Sequence, residues 1–159
     1  MLNRNLGVLT KAGAPTDGVN EVQTLTIDAT GGTFTVTWNG QTAVTPLAHN
    51  PTAAQVLAVL ESLSNLEVGD IAVSGNQGGP FSITFKGNQA GKDVAAISTT
   101  SSLTGGAGTA TITTGTAGVR GDYRGCIFGQ LLVDTTNRII YENTSTERGR
   151  PVWTEIAVT

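Results

Sequence analysis

The side chains that most often carry catalysis are scarce in this sequence. His49 is the one histidine and Cys126 the one cysteine, which is too few for a zinc site built from those two residue types. No G-x-S-x-G segment supplies an activated serine for His49 to serve. We therefore expect His49 at the surface or near a helix cap. Cys126 lies in an apolar stretch and is expected to pack as a small buried side chain.

Two pairs of carboxylates are candidates for glycoside hydrolysis, because that reaction needs only two such groups. Glu67 with Asp70 and Glu142 with Glu147 both fall in polar, turn-like segments, where solvated side chains are the ordinary finding. A pair assembled from distant strands stays open. Glycine-rich stretches at 75–79 and 105–108 lack the lysine and hydroxyl of a phosphate-binding loop. The sequence thus predicts no enzyme, no catalytic residue, no metal and no cofactor.

Composition favours a mainly β protein and narrows its partners. Of 159 residues only 13% are charged and 21 are glycine, while threonine and other β-branched residues are abundant. With a net charge of −3 and no basic stripe, nucleic acid is not an expected partner. No apolar run approaches the length that spans a bilayer, and no apolar signal core follows Met1. We expect synthesis in the cytoplasm and no membrane contact.

Three zones differ in pattern along the chain. Residues 1–18 form a mostly polar arm that ends in the turn Gly13-Ala-Pro-Thr-Asp-Gly18. Residues 19–119 carry strand alternation and one amphipathic stretch, which predicts a β-rich domain with a single covering helix at about 52–64. Residues 120–159 predict a short three-stranded meander. Such a small meander is marginal alone, so we expect association with other copies or packing on the arm to complete it.

The local signals within the middle zone are specific. Alternation before and after Gly31-Gly32 predicts two strands joined as a hairpin, and Asn39-Gly40 predicts a second, tighter hairpin. Thr52 and Gln55 fit a capping box at the start of the helix. In the third zone Tyr141 and Trp153 are expected in the core or in a seam between copies, with sugar stacking as the alternative.

The segment from Gly125 to Asn137 contains the pattern G-x-L-x-x-D-T-T-N, and it is followed by Ile140-Tyr-Glu-Asn-Thr-Ser-Thr146 and Pro151-Val-Trp-Thr154. Through these residues the third zone resembles a motif that ends many capsid decoration and head-fibre proteins of tailed bacteriophages. The arm turn is similar to what often lies just upstream of that motif. Here about a hundred residues separate the two, so the middle zone is interpreted as an insertion. That zone resembles β-rich modules in structural proteins of phages that infect actinobacteria, through its helix and the segment V-x-G followed by F-x-I-T-F-K-G.

The resemblance implies a homotrimer on the outer surface of the virion capsid, with the major capsid protein as partner. Two residue sets are assigned as expectations. The capsid-contact set is Leu2, Arg4, Leu6, Val8, Leu9 and Lys11, and the trimer-interface set is Ile127, Leu131, Val133, Tyr141 and Trp153. Two other functions remain as alternatives: a head fibre or adhesion module whose inserted domain binds host-surface glycans, and a structural component of the tail.

Overall fold

The computed structural model describes residues 7–156, and their fold is mainly β. Strands account for 41% and helices for 8%, which confirms the predicted β-rich fold with one α-helix. The strands are β1 Leu9–Lys11, β2 Val22–Asp28, β3 Gly31–Trp38, β4 Gln41–Thr42, β5 Leu47–Ala48, β6 Ile71–Ser74, β7 Phe81–Phe85, β8 Ser98–Thr104, β9 Thr109–Thr116, β10 Leu131–Asp134, β11 Ile139–Asn143 and β12 Trp153–Ile156. The helix α1 spans Ala53–Glu61, and a single 3-10 turn spans Gly87–Gln89.

These strands form three sheets within the described residues. One sheet has the order β6-β7-β2-β9. In another, β3 pairs with β8 along Gly31 to Thr37 and with the short β4 and β5 at its two ends. The remaining sheet has the order β1-β10-β11-β12, and we call it the C-terminal sheet. The first two sheets belong to residues 19–119, which we call the β-rich domain.

The core of the β-rich domain lies between its two sheets and α1. Phe34, Phe81, Phe85 and Leu60 are each no more than 1% exposed. They lie at alternate positions of β3 and β7 and on the buried side of the helix, as period-two strands and a 3.6-residue helix require. This continuous apolar core gives the β-rich domain a stable interior of its own.

The two sharpest local predictions are confirmed. Asn39 and Gly40 have φ of 50° and 81°, and the strands they join pair through Trp38 with Gln41, as a tight two-residue hairpin requires. Thr52 caps α1 in a capping box with Gln55. The helix ends at Glu61, three residues before the predicted end, and Ser62 forms its C-cap.

The predicted hairpin between β2 and β3 is wrong. The two strands follow each other closely, yet β2 pairs with β7 and β9 while β3 pairs with β8. Each strand has one apolar side, with Leu25 on β2 and Val36 on β3 buried in the same core. Strands in facing sheets bury their apolar sides against each other, whereas hairpin partners lie side by side in one sheet. Gly32, at φ 81°, allows close approach to β8, because a Cβ there would lie 2.3 Å from the Ser102 carbonyl oxygen.

Strand β8 is not among the strands predicted from the sequence. Its seven residues are serine and threonine except for Leu103, so no apolar alternation marks it. Its backbone is held by β3, and Thr99 and Ser101 donate to the carbonyl oxygens of Ala110 and Gly108. A polar strand of this kind is specified by its partners rather than by its own pattern.

The predicted three-stranded meander is present as β10-β11-β12, and the C-terminal sheet has a fourth strand beside it. Part of the arm supplies this strand, because β1 pairs in parallel with β10, with Leu9 beside Leu132 and Lys11 beside Asp134. Packing of the arm on the meander was one of the two expected ways to complete it. Residues 9–11 cover the edge of β10, which a meander alone would leave unpaired.

Candidate association surface

The two faces of the C-terminal sheet differ in what covers them. Directly paired residues of antiparallel strands point to the same face. Val133 pairs with Ile140, and Ile140 pairs with Ile156, so these three side chains form one row across the sheet. Leu131 lies on the same face because it is two residues before Val133. We call this surface, with Leu131, Val133, Ile140, Glu142 and Ile156, the outer face.

Side chains on the outer face are only partly covered. Leu131, Val133 and Ile140 are half-buried, and Ile156 is 36% exposed. The loop before β10 adds Phe128, 62% exposed. Apolar groups at neighbouring cross-strand positions gain from any further burial. The outer face is therefore the part of this sheet best suited to contact another protein surface.

The opposite face, which we call the inner face, is closed by the chain itself. Leu132 and Asp134 are fully buried, Asn143 is 2% exposed and Trp153 is 7% exposed. Tyr123 packs edge-on against Trp153, with ring centroids 6.4 Å apart. The indole nitrogen of Trp153 donates to the Asp122 carbonyl oxygen at 3.3 Å. The inner face is the interior of this part of the protein.

The predicted trimer-interface residues are divided between these surfaces. Leu131 and Val133 lie together on the outer face, while Tyr141 and Trp153 point to the inner face with Leu132. Ile127 is in the loop before β10 and is 40% exposed. Ile140 and Ile156 are not among the predicted interface residues, because Ile140 lies on the opposite face of its strand from the predicted Tyr141. Pairing Ile140 with Val133 requires the register, which the turn at Thr135 to Arg138 sets.

The predicted capsid-contact residues are also divided. Leu2, Arg4 and Leu6 lie outside the described residues. Leu9 is half-buried in β1, and the Lys11 ammonium lies 2.8 Å from an Asp122 carboxylate oxygen. Val8 is 54% exposed at the start of the described arm. Among residues 7–11, Val8 thus offers the most accessible apolar side chain.

Asp134 fixes the D-T-T-N turn and the arm at one point. Its Oδ1 accepts from the backbone nitrogens of Gly13 at 2.9 Å and Thr136 at 2.8 Å, and its Oδ2 accepts from the Asn137 amide at 2.8 Å. Desolvation by burial raises the pKa of Asp134, but these hydrogen bonds outweigh it, so the pKa lies below its ordinary value. The carboxylate is held ionised as a clamp between arm and sheet.

Asn143 plays the corresponding part in the Y-E-N-T segment. Its Nδ2 donates to the Ile127 carbonyl oxygen at 3.0 Å. Its Oδ1 accepts from the backbone nitrogens of Ser145 and Val152, each at 3.1 Å. One buried amide thus satisfies three backbone groups in loops that no strand ladder reaches.

The arm turn contacts the end of the C-terminal sheet directly. Asp17 Oδ1 accepts from the Trp153 backbone nitrogen at 2.7 Å, and Gly18 N donates to the Pro151 carbonyl oxygen at 2.7 Å. Immediately after this contact, Val19 and Val119 form an antiparallel bridge. The chain therefore enters and leaves the β-rich domain at adjacent points.

A polar junction joins the β-rich domain to the C-terminal part. Glu147 accepts from the side chains of Asn20 at 2.9 Å and Arg150 at 2.7 Å, and Arg124 donates to the Ala90 carbonyl oxygen at 2.9 Å. Burial raises the pKa of Glu147, but the hydrogen bonds from Arg150 and Asn20 together lower it by more, so the pKa lies below its ordinary value. At Gly91 a Cβ would meet the Gly149 carbonyl oxygen at 2.5 Å, so the two parts are in close backbone contact.

The groups considered for catalysis are occupied by structural contacts. Asp70 is buried and accepts from the Asn88 backbone nitrogen at 2.8 Å, and Glu67 accepts from the Asn88 amide at 2.9 Å. Glu142 lies on the outer face while Glu147 lies in the junction. Burial raises the pKa of the Cys126 thiol, which disfavours the reactive thiolate.

Across residues 7–156 no group of three or more His, Cys, Asp or Glu side chains is placed to hold a metal ion. His49 is half-buried beside β5, and its backbone nitrogen donates to the Gly32 carbonyl oxygen. No helix in this part of the chain is long and apolar enough to cross a bilayer.

Comparison with known proteins gives a distant structural likeness only. No family model and no curated protein matches the chain. Among solved structures, one from Mycobacterium phage Patience is similar, with a TM-score of 0.45 and 15% sequence identity. The match covers 87% of this chain and 57% of that chain, so the protein spans less than two thirds of its neighbour's length.

Proposed function

We propose that this protein is a structural protein of a tailed-phage virion, which binds the outer surface of the major capsid shell as a homotrimer and stabilises it. The proposal assigns it no catalytic role. The resemblance of residues 129–154 to the C-terminal motif of phage decoration proteins suggests this class. The observation that carries the proposal is the only partly covered apolar row of Val133, Ile140 and Ile156 on the outer face.

The motif residues support the proposal because they shape the sheet rather than a reaction centre. Asp134, Asn143 and Trp153 are buried and hold loops and the arm in place. Their combined effect is to present the outer face on a rigid support. A rigid apolar surface is what a permanent contact between copies needs, since little ordering is left to be done on association.

Other copies of this chain are the occupants we assign to the outer face. Burying a valine or isoleucine side chain fully contributes roughly 1.5–3 kcal/mol, and each copy offers four apolar side chains that are already half-covered. A closed ring of three copies would bury this surface on every chain and leave none exposed. In the same arrangement the arms of three copies would contact the shell together, and linked contacts strengthen binding through effective concentration.

The position of the β-rich domain supports its interpretation as an insertion. Its two ends meet at the bridge between Val19 and Val119, next to the contact of Gly18 with Pro151. A domain with adjacent ends can be added to a loop without displacing the strands around it. In the proposed assembly it projects from the trimer, away from the shell.

The mass of the full chain in solution tests the association. Native mass spectrometry is expected to give about 49 kDa, three times the 16.3 kDa chain. Val133→Asp places a charge in the apolar row and is expected to yield monomer with an unchanged circular dichroism spectrum. Thr114→Asp, at an exposed strand position of the β-rich domain, is the matched control and should remain trimeric.

Co-sedimentation with shells assembled from the major capsid protein tests the second half of the proposal. The wild-type chain is expected to sediment with the shells and to raise the temperature at which they open. Val133→Asp should bind at least tenfold more weakly because it loses the linked contacts. A wild-type chain that stays monomeric, or shells that neither bind nor gain stability, would contradict the proposal.

A further inference from the structure

A cleft separates the β-rich domain from the C-terminal part, and its walls carry an excess of positive charge. It has a volume of about 1110 Å³ and is lined on one side by Glu67 to Asp70 with Gly87 and Asn88, and on the other by Arg120, residues 123–126 and residues 148–149. Its cationic residues are Lys92, Arg120, Arg124 and Arg148. We call it the cationic cleft. The whole chain has a net charge of −3, so this concentration of positive charge is local.

The acidic groups in the cleft do not neutralise these cations. Asp70 and Glu67 are engaged with Asn88, and the ion pairs within residues 7–156 are Lys11 with Asp122 and Arg150 with Glu147. Arg120 and Arg148 are exposed and make no side-chain hydrogen bond within the same residues. Two guanidinium groups therefore face the cleft with their donors available.

The remaining two cations act on each other. Arg124 is held by the carbonyl oxygens of Ala90 and Gly149, which fixes its charge at the back of the cleft. Partial burial lowers the pKa of Lys92 and the positive charge of Arg124 lowers it further, while the Asp70 carboxylate raises it by less. Such mutual repulsion is relieved when an anion enters.

We propose that the cationic cleft binds an acidic segment of a partner polypeptide. The cleft is open and larger than most enclosed small-molecule pockets, which suits a stretch of extended chain. Val68, 88% exposed, and Leu9 lie on its walls and can contact apolar side chains between the acidic ones. Guanidinium groups bind carboxylates through two parallel hydrogen bonds, so Arg120 and Arg148 supply both attraction and register.

The lining favours a peptide over the two other common polyanions. Nucleic-acid bases and sugar rings are bound largely by stacking on aromatic faces. Tyr123 is the one aromatic residue among those that line the cleft. Its hydroxyl donates to the Thr10 carbonyl oxygen and its ring packs on Trp153, so it has no free stacking role. This inference is independent of the proposed trimer and of the shell as partner.

Isothermal titration of the full chain with three anionic probes tests the proposal. The probes are hexaglutamate, hexagalacturonate with the same number of carboxylates, and hexathymidylate. Hexaglutamate is expected to bind tightest at low ionic strength. Its binding should be lost at about 1 M salt, where the Debye length falls to about 3 Å.

Charge reversal in the cleft provides the specific readout. Arg120→Glu and Arg148→Glu are each expected to weaken hexaglutamate binding by about three- to tenfold, and the double variant should abolish it. Arg138→Glu changes the net charge equally at an exposed turn outside the cleft and should leave binding unchanged. Unchanged binding by the double variant, an equal loss in Arg138→Glu, or tighter binding of hexathymidylate or hexagalacturonate would each overturn the proposal.

Discussion

Replacing Asn143 with alanine removes the amide that organises the loops around the C-terminal sheet. The side chain is 2% exposed and makes three hydrogen bonds to backbone groups of Ile127, Ser145 and Val152. A hydrogen bond of this kind contributes about 0.5–1.5 kcal/mol net. Three of them give an expected loss of about 2–4 kcal/mol in the free energy of unfolding, with the upper end reached if water does not enter.

Urea unfolding followed by tryptophan fluorescence measures this loss, at one fixed chain concentration because association adds to apparent stability. Thr146→Ala, an exposed position in the same segment with no side-chain hydrogen bond within the described residues, is the control and should change stability by less than about 0.5 kcal/mol. Asn143→Asp keeps the two acceptor contacts but places a buried carboxylate oxygen against the Ile127 carbonyl oxygen, so it should also be destabilising. A loss in Asn143→Ala no larger than that of the control would refute the assigned role of the buried amide.

Two further predictions concern the arm and the inserted domain. Because the pKa of folded Asp134 is lowered, its stabilising effect is full above the unfolded pKa of about 3.9 and is lost as pH falls towards the folded value. Asp134→Asn should flatten the pH dependence of the free energy of unfolding in this range, as measured by urea titrations at neutral and acidic pH. An unaltered pH dependence would contradict the role of Asp134 as a clamp between arm and sheet. Deleting residues 20–118, with Val19 joined to Val119 by a short glycine-serine linker, should leave a folded C-terminal sheet that still trimerises. Loss of the trimer while circular dichroism still shows a folded sheet would mean that the insertion takes part in the interface.

Short-range features of the β-rich domain were accessible from sequence because single residues determine them. Asn39 and Gly40 tolerate positive φ, which a two-residue turn demands. Thr52 and Gln55 satisfy backbone groups at the start of α1 reciprocally. In both places the local chemistry and the final structure agree, so no knowledge of distant partners was needed.

Long-range pairing accounts for what the sequence did not reveal. Strand β8 has one apolar residue, Leu103, and exists because β3 supplies its hydrogen-bond partners. Nothing local distinguishes a hairpin between β2 and β3 from the observed passage between two sheets. Packing of the arm on the meander was one of two expectations, but the strand pairing of residues 9–11 with β10 was not predictable, since three residues carry too short a pattern.

The candidate surface was predictable only in part for the same reason. Leu131 and Val133 alternate in one strand, so their shared face follows from sequence. Their alignment with Ile140 and Ile156 depends on the register across two turns. The cationic cleft places residues 67–70 beside Arg120 and residues 123–126. No local feature of either segment predicts that the two lie together.

Electron cryo-microscopy of phage particles that incorporate this chain tests the proposed function most directly. Density is expected for three copies on the outer surface of the head, with the C-terminal sheets in contact through Val133 and Ile140 and the β-rich domains projecting outward. Density for this chain on the tail, or single copies on the head whose outer faces touch nothing, would contradict it.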